Sequence, residues 1–440
     1  MGAKKNERKK KNTSSKKPID EETLREIKVR VVGLGGGGGS VITSISASLK
    51  RVLFAALNTD LRALEEVSKK KKIKSIAFGK KLTGGLGTGM DSDLGRRAAE
   101  EDVEEVKPLF AGQDIVIFVS SLGGGTGSGA LPVFASMARE MGCIVYGVFT
   151  LPFPFEGEKK MKIAREAIKE SNPYLHAVTI LPNEKIFEIV DKNTPLKEAL
   201  SVMNDNLARS LEGLVETIYE TGLINIDFAD VRTVLENRKC VRKLTYLNTA
   251  DGKLEEGAQE IVSRALSNPL YPYKVDKAKG VLVNITGGNN IGLTDISSIS
   301  EEISGYTEDD AKIIIGITQK RSYKDRVRVA LLATGCGTEY FKKELGEEEN
   351  KAKSSEKKKK VSADKKKGET KKKKAKEKPV KKKVKKEEEK IEVVPRREES
   401  GFIEKEEKRV PESDEEREII EEEERWEKPS FLKRLRKDDN

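Results

Sequence analysis

Short and nearly continuous apolar runs recur along the first half of the chain, in the pattern typical of strands that are covered on both faces. These runs lie at 27–32, 52–57, 114–120, 143–150 and 177–181. Helix-forming stretches separate the later runs, at 94–107, 128–141 and 158–170. Regular alternation of strands and helices predicts an α/β fold with a doubly wound parallel sheet.

A long amphipathic helix is predicted over 194–222. Thr194 can cap this helix, and Pro195 suits its first turn. Apolar residues then recur at spacings of three and four and form one stripe: Leu200, Met203, Leu207, Leu211, Leu214 and Ile218. Further strand-like runs, with a helical stretch at 254–267, predict a second and smaller α/β domain; the runs lie at 279–285, 311–319 and 327–334.

The two ends of the chain lack this periodicity and are rich in charge. We therefore predict six segments: a disordered basic N-terminal tail at 1–26, a first domain at 27–193, the central helix at 194–222, a second domain at 223–341, a disordered charged linker at 342–425 and a separate peptide at 426–440. Trp426 to Arg436 brings an aromatic group and apolar residues together among basic residues, which favours a docking role at the end of a flexible tether.

The net charge of +11 is unevenly distributed. Residues 1–18 carry eight Lys or Arg against one acid, and 351–390 carry 21 Lys against seven acids, so the rest of the chain sums to −10. The basic segments can attract RNA, DNA or anionic lipid weakly, or they are simply solvated tails. The domains that fold are acidic, which argues against a dedicated nucleic-acid-binding fold.

Several other classes of site are disfavoured by composition. The three cysteines form no CxxC pair, and a single histidine, His176, excludes multi-histidine metal sites, so no protein-ligated metal is predicted. His176 is interpreted as an ordinary surface or interface residue. The basic N-terminus has no apolar signal region, and no apolar run approaches the ~20 residues that span a bilayer. These features predict a cytoplasmic protein.

Two glycine-rich segments follow two of the predicted strands, as expected of backbone cradles for phosphate. The first, at 33–38, satisfies the weak GxGxxG pattern of dinucleotide sites, and Asp60 lies at a plausible distance to bind a ribose. Alone, this loop fits either a nicotinamide dinucleotide-dependent oxidoreductase or a tight strand-to-helix turn. The second, at 121–129, has no place in that fingerprint. Its glycine density implies close approach of the backbone to a ligand, and Thr126 and Ser128 add hydroxyls.

No G-x-x-x-x-G-K-[ST] motif occurs in the chain, so a P-loop NTPase is excluded. The sequence GGGTGSG at 123–129 instead resembles the phosphate loop of the tubulin/FtsZ superfamily. Segments similar to the FtsZ family recur in order at 56–60, 82–89, 154–157, 190–196, 225–231 and 280–288, and PSFLKR at 429–434 resembles its C-terminal docking peptide. The resemblance covers about 28–340 together with this peptide.

The resemblance implies a GTP-binding first domain and a second domain for activation and polymerisation. The residues implied to contact GTP or GDP are Gly35, Gly36, Gly37, Gly38, Gly39, Asp60, Gly87, Thr88, Gly89, Gly123, Gly124, Gly125, Thr126, Gly127, Ser128, Glu156, Lys160, Asn183 and Asp205. Within this set Glu156 would meet the ribose, and Asn183 and Asp205 would recognise guanine. Mg²⁺ would neutralise the phosphates.

The resemblance also implies that Asn225, Asp227 and Asp230 are catalytic and act on the nucleotide of a neighbouring subunit. The alternative for the two aspartates is a charge pair at a helix N-terminus. The family pattern is broken at Ser40, Lys160 and Gly84, which replace an Asn and two Arg, and at 239–248, where KCVRKLTYLN replaces small residues. The departure at 239–248 is expected to affect the contacts between subunits and the rate of GTP turnover.

The function implied is a GTPase that polymerises head to tail into protofilaments and forms the cytokinetic ring at the division site of a bacterial cell. Membrane-tethering division proteins would bind the terminal peptide through Pro429, Phe431, Leu432, Lys433 and Arg434. Two alternatives stay open at this point: a structural filament protein that binds GTP but hydrolyses it poorly, and the oxidoreductase suggested by the first glycine loop alone.

Overall fold

The structure is a computed structural model that describes residues 27–236, 243–337 and 339–340. The predicted tails, the charged linker, the docking peptide and positions 239–242 of the atypical segment lie outside the described residues. Within the described ranges, no helix combines the length and the apolar character that crossing a membrane requires.

The first sheet has six parallel strands in the order β3-β2-β1-β4-β5-β6. Its strands are β1 Val29–Leu34, β2 Leu53–Asn58, β3 Ile73–Ala77, β4 Ile115–Ser121, β5 Ile144–Leu151 and β6 Ala177–Pro182. Every residue of β1, β5 and β6 is buried, because helices cover both faces of the sheet. The strand order reverses between β1 and β4, which makes this pair the switch point of a doubly wound sheet.

The helices of the first domain are α1 Gly35–Ile45, α2 Leu61–Ser68, α3 Lys80–Thr83, α4 Ser92–Glu101, α5 Val103–Val106, α6 Gly125–Glu140 and α7 Glu158–Ser171. The single helix predicted at 94–107 is divided at Asp102, which ends α4 and precedes α5. Asp102 accepts a hydrogen bond from the Gly79 amide, so a contact made across the fold fixes this break.

The central helix α8 runs from Leu196 to Tyr219. Its buried face carries the predicted stripe, with Met203, Leu207 and Leu211 fully buried. The prediction that Thr194 caps the helix was wrong, because Pro195 is the capping residue and no side-chain hydrogen bond is made there. Its 24 residues span about 36 Å at the usual rise per residue.

The second domain is a four-stranded mixed sheet in the order β7-β10-β8-β9 with three helices. The elements are α9 Phe228–Leu235, β7 Thr245–Lys253, α10 Ala258–Leu266, β8 Ala278–Gly287, α11 Leu293–Ser304, β9 Thr307–Gln319 and β10 Arg326–Thr334. The helix predicted at 254–267 is shorter than expected, because a 3-10 turn is followed by Gly257 at φ +89° before α10 begins.

Hydrogen bonds join the edge strands of the two sheets. The Val178 amide on β6 donates to the Lys243 carbonyl at 2.7 Å, and the neighbouring Thr179 hydroxyl donates to the Thr245 carbonyl at 2.8 Å. The buried Tyr273 hydroxyl donates to the same Thr245 carbonyl at 3.0 Å. With α8 packed on β7 and β10, these bonds hold the second domain on the first.

Candidate nucleotide-binding site

The carboxyl ends of the parallel strands place most of the predicted nucleotide residues at one edge of the first sheet. Gly35 follows β1, Asp60 follows β2, Gly123 follows β4, and Asn183 follows β6. The turn Pro154–Glu156 comes just after β5. Residues scattered over 150 positions thus converge outside the switch point, where open α/β sheets bind their ligands.

The first glycine loop is the N-terminal turn of α1. Leu34 is the capping residue and makes no side-chain hydrogen bond to the helix, while Gly36 and Gly37 are exposed. Since the first amides of a helix have no intrahelical partner, those of Gly35 to Gly37 are available to an anion. Gly38 and Gly39 are buried and pack closely on β4 and α2, and their contact with phosphate stays a prediction.

The second glycine loop leads into α6, whose capping residue Gly124 also provides no side-chain bond. Gly123 has a φ of +101°, which a residue with a side chain rarely adopts. Its amide donates to the Ser128 hydroxyl at 2.9 Å. Ser128 therefore braces the loop, and the amides with no partner inside the helix belong to Gly124 through Gly127.

The two glycine loops touch each other, and the contact leaves no room for side chains. A Cβ on Gly35 would lie 3.0 Å from the Gly127 nitrogen, and one on Gly37 would lie 2.5 Å from Ser121 Oγ. The two helix N-termini, each with the positive end of its dipole, therefore face the same small space. Ser121, which belongs to the predicted loop at 121–129 but was not predicted to contact the nucleotide, forms part of its wall.

A third loop, which includes Gly87, Thr88 and Gly89, closes on the second. The Thr126 hydroxyl lies 3.3 Å from that of Thr88 and 2.6 Å from that of Thr59. Thr59 was not predicted as a site residue. Its neighbour Asp60 uses Oδ1 to cap α2, accepting from the Arg62 and Ala63 amides at 3.0 and 3.2 Å.

Glu156 and Lys160 form an ion pair of 2.8 Å beside the second loop. Burial opposes ionisation of Glu156, but hydrogen bonds from Lys160 and from the Phe153 amide outweigh it and lower the pKa of this carboxyl. A Cβ on Gly123 would lie 3.0 Å from the Lys160 carbonyl oxygen, so the pair adjoins the second glycine loop. Lys160 therefore orients Glu156 although it lacks the planar fork of arginine.

Asn183 and Asp205 lie on two elements that pack together. Asn183 is half-buried and begins a 3-10 segment, Asn183–Glu188, which contacts α8. Asp205 is an exposed residue of α8, on the side away from the buried stripe. Its neighbour Asn204 donates to Ser44 Oγ at 3.4 Å, which places this part of α8 against the helix that begins with the first glycine loop.

Asn225, Asp227 and Asp230 lie beyond the other end of α8. Asp227 caps α9 by accepting from the Asp230 amide at 2.7 Å, and Asp230 accepts from the Asp227 amide at 3.4 Å. Asn225 accepts from the Gly222 amide at 2.6 Å. The alternative interpretation, a helix N-terminal pair, therefore describes their local geometry, while Asp227 and Asn225 remain exposed.

His176 plays a structural part away from this edge. Its Nδ1 accepts the Val145 amide at 2.9 Å, near the amino ends of β5 and β6. Burial, with the charges of Arg139 and Lys243, lowers the pKa of His176 to about 4, so the ring is neutral near pH 7. Over the described ranges, no cluster of His, Cys, Asp and Glu has the arrangement of a metal site.

Comparisons with known proteins agree with this geometry. The chain matches the family model for the Tubulin/FtsZ family GTPase domain over residues 28–191, and that for the FtsZ family C-terminal domain over 245–337. It is 36% identical over 312 residues to the cell division protein FtsZ of Buchnera aphidicola subsp. Baizongia pistaciae, covering 70% of this chain and 79% of that protein. The FtsZ of Coxiella burnetii is 33% identical over 321 residues, covering 73% and 82%.

Solved structures give the same result. An FtsZ dimer from M. jannaschii matches with a TM-score of 0.63 at 37% identity, covering 71% of this chain and 89% of that one. CetZ2 from Haloferax volcanii, at 21% identity and a TM-score of 0.61, covers 74% of this chain and all of that one, and shares the fold alone. The predicted α/β architecture is confirmed, and the chain belongs to the FtsZ family of GTPases, which bind GTP, polymerise into filaments and serve cell division.

Proposed function

We propose that GTP binds at the carboxyl edge of the first sheet, with its phosphates between the two glycine loops. The observation that carries this proposal is the convergence of two helix N-termini, both without side-chain caps, on one glycine-lined space at the switch point. Glu156 would then meet the ribose while held by Lys160, and Gly87, Thr88 and Gly89 would close over the terminal phosphate.

Guanine recognition is assigned to Asn183 and Asp205. A carboxylate accepts from the ring N–H and the exocyclic amine of guanine, a pair that adenine does not offer. The exposed position of Asp205, beside α1 and away from the buried face of α8, supports a ligand-facing role over a packing one.

Mg²⁺ fits this site as an ion held mainly by phosphate oxygens and water. The described residues offer no cage of carboxylates, and Mg²⁺ usually keeps several waters and takes one or two protein oxygens. The candidate is Asp60, since Oδ1 caps α2 while Oδ2 faces Gly87 of the third loop. When bound, the ion would neutralise charge on the phosphates.

Asn225, Asp227 and Asp230 are proposed to complete the site of a neighbouring subunit. They follow the C-terminal end of α8, where the Tyr219 hydroxyl donates to the Ile27 carbonyl just before β1, whereas the first glycine loop follows the carboxyl end of β1 and Asp205 lies in the N-terminal half of α8. Fourteen residues of helix between Asp205 and Tyr219 correspond to about 21 Å, too far for a direct contact within one chain. Head-to-tail stacking would bring the aspartates to the next nucleotide, where they would polarise the attacking water.

The proposal also includes the cellular role of the protein. The protein would form the cytokinetic ring at the division site from the cytoplasmic side, with 27–193, 194–222 and 223–341 as its folded units. The peptide at 426–440 would dock on membrane-tethering partners, and the lysine-rich segments would add weak contact with anionic lipid or nucleic acid.

Phosphate release from GTP, measured against protein concentration, tests this function. A site shared between subunits gives a rate per subunit that rises cooperatively above a threshold concentration. A rate per subunit that stays constant as the protein is diluted would contradict the shared site. Measurable GTP binding without phosphate release at any protein concentration would favour the alternative of a structural filament protein that binds GTP but hydrolyses it poorly.

A further inference from the structure

Thr59 connects three loops of the site although it belongs to none of the glycine motifs. It follows β2 and is only 1% exposed. Its hydroxyl lies 2.6 Å from that of Thr126 in the second glycine loop. Its carbonyl accepts from the Gly87 amide at 3.4 Å and from the Thr83 hydroxyl at 3.5 Å, and so it also holds the third loop.

The direction of the hydrogen bond between Thr59 and Thr126 depends on what occupies the site. Each hydroxyl has one proton to donate and can accept from other donors. Thr126 lies in the first turn of α6, where an anion is stabilised by the amides and by the helix dipole. When Thr126 donates its proton to a phosphate oxygen, it can no longer donate to Thr59, so Thr59 becomes the donor.

We propose that Thr59 is a positioning residue that directs the Thr126 proton toward the bound phosphate. The Thr59 hydroxyl donates to the Thr126 hydroxyl and thereby fixes the Thr126 rotamer. It also polarises the Thr126 O–H bond, because linked hydrogen bonds strengthen one another. The Thr88 hydroxyl, 3.3 Å from that of Thr126, extends the same chain of hydroxyls, and this contact holds Thr88 beside the proposed phosphate position. This inference rests on the placement of GTP proposed above.

The substitution Thr59→Val removes the hydroxyl while keeping the shape of the side chain and both bonds to the carbonyl. We expect the Kd for fluorescently labelled GTP and GDP to rise about 3- to 15-fold, which is the usual loss of affinity when one hydrogen bond is removed. Thr59→Ser restores the hydroxyl and should return the Kd to within about twofold of the original. Measurements are made below the concentration of assembly, so that only binding is scored.

A matched control separates positioning from packing. Thr179 is another fully buried threonine, bonded to the Tyr146 hydroxyl at 2.7 Å in the sheet and far from the loops. Thr179→Val should lower the Tm but leave the Kd unchanged. If Thr59→Val folds poorly, Thr59→Cys, whose thiol is a weak donor, should show a smaller rise in Kd.

Two outcomes distinguish failure of this inference from failure of the proposed site. If Thr59→Val lowers the Tm as Thr179→Val does and leaves the Kd for GTP unchanged, Thr59 only packs and the inference is overturned. If Gly37→Ala, whose Cβ would meet Ser121, also leaves the Kd unchanged, the phosphates do not bind between these loops. That second result would overturn the placement of GTP itself.

Discussion

At the scale of single residues, neighbouring glycines serve different physical needs. A Cβ on Gly37 would collide with Ser121, and one on Gly125 would collide with the Thr88 hydroxyl. Gly38 and Gly39 instead let α1 pack closely on β4 and α2. The run of five glycines therefore contains exposed residues, where phosphate is proposed to bind, and buried residues that pack on neighbouring elements.

The residues near the proposed site that were not predicted to contact nucleotide have no distinctive residue type or motif. Thr59 and Ser121 carry no glycine signal, and the contact between Thr59 and Thr126 joins positions 67 residues apart. Such pairs arise from the pairing of β1 with both β2 and β4, which composition and spacing do not encode. Gly35, Gly123 and Asn183, assigned by family resemblance, were easier to place, because each follows a strand that was itself predictable.

Asp205 offers the sharpest test of guanine recognition. Asp205→Asn should weaken GTP binding by about 1–3 kcal/mol, because the guanine donors lose their charged acceptor. The measurement is the Kd for GTP and for ATP by competition. Glu166→Gln, which removes an exposed carboxylate on α7, serves as the control and should leave both values unchanged. Equal competition by ATP and GTP in the original protein would refute the assignment.

At the scale of elements, strands made of continuous apolar runs were predictable, and strands rich in polar residues were not. The runs at 114–120 and 143–150 fall on β4 and β5. β3 and β7 were missed because polar residues interrupt their apolar pattern, whereas β6 and β9, which also lie at sheet edges, were predicted. Helix α1 was missed since its five glycines disfavour helix, and contacts across the fold override that propensity.

The contact between α8 and the second sheet includes a charge network centred on Arg328. Its Nε donates to Asp251 at 2.8 Å and its Nη1 to Glu216 at 3.1 Å, and Lys320 bonds Glu216 at 2.9 Å. Arg328 is only 15% exposed, and both carboxylates are 18% exposed. Removing the guanidinium would leave two poorly solvated carboxylates close together.

We expect Arg328→Leu to lower the free energy of unfolding by about 2–4 kcal/mol. Arg326→Leu, at an exposed position on the same strand, should change it by less than about 0.5 kcal/mol. Urea denaturation of the two variants provides the measurement. Similar midpoints for both variants would show that the network contributes little to the contact between α8 and the second sheet.

At the scale of the whole molecule, the proposed docking peptide is separable from the GTPase. Deleting 426–440 should leave GTP hydrolysis and polymerisation in solution unchanged, because both matched family domains, at 28–191 and 245–337, lie outside the deleted segment. The same deletion should abolish recruitment to membrane-bound division proteins, measured by co-sedimentation with vesicles that carry them. Normal localisation of the truncated protein to the division site would exclude the peptide as the anchor and point to the lysine-rich linker.

In the proposed function, Asp205 in the N-terminal half of α8 adjoins the nucleotide, and Asp227 and Asp230 follow the C-terminal end of the helix. A directional, head-to-tail contact would unite them, since such heterologous interfaces repeat along a filament. Under this account, Asp230→Ala binds GTP but hydrolyses little, and Gly125→Ala keeps its aspartates but binds GTP poorly. Neither variant alone contains a complete site, yet each supplies the half that the other lacks.

The most direct measurement is therefore GTP hydrolysis in mixtures of these two variants. If subunits assemble at random in an equal mixture, about a quarter of the contacts pair an intact loop with an intact Asp230, so about a quarter of the original rate should return. The Kd of Asp230→Ala for GTP, measured alongside, should match that of the original protein. Activity that never exceeds the average of the separate variants, or loss of GTP binding in Asp230→Ala, would contradict a site completed by the neighbouring subunit.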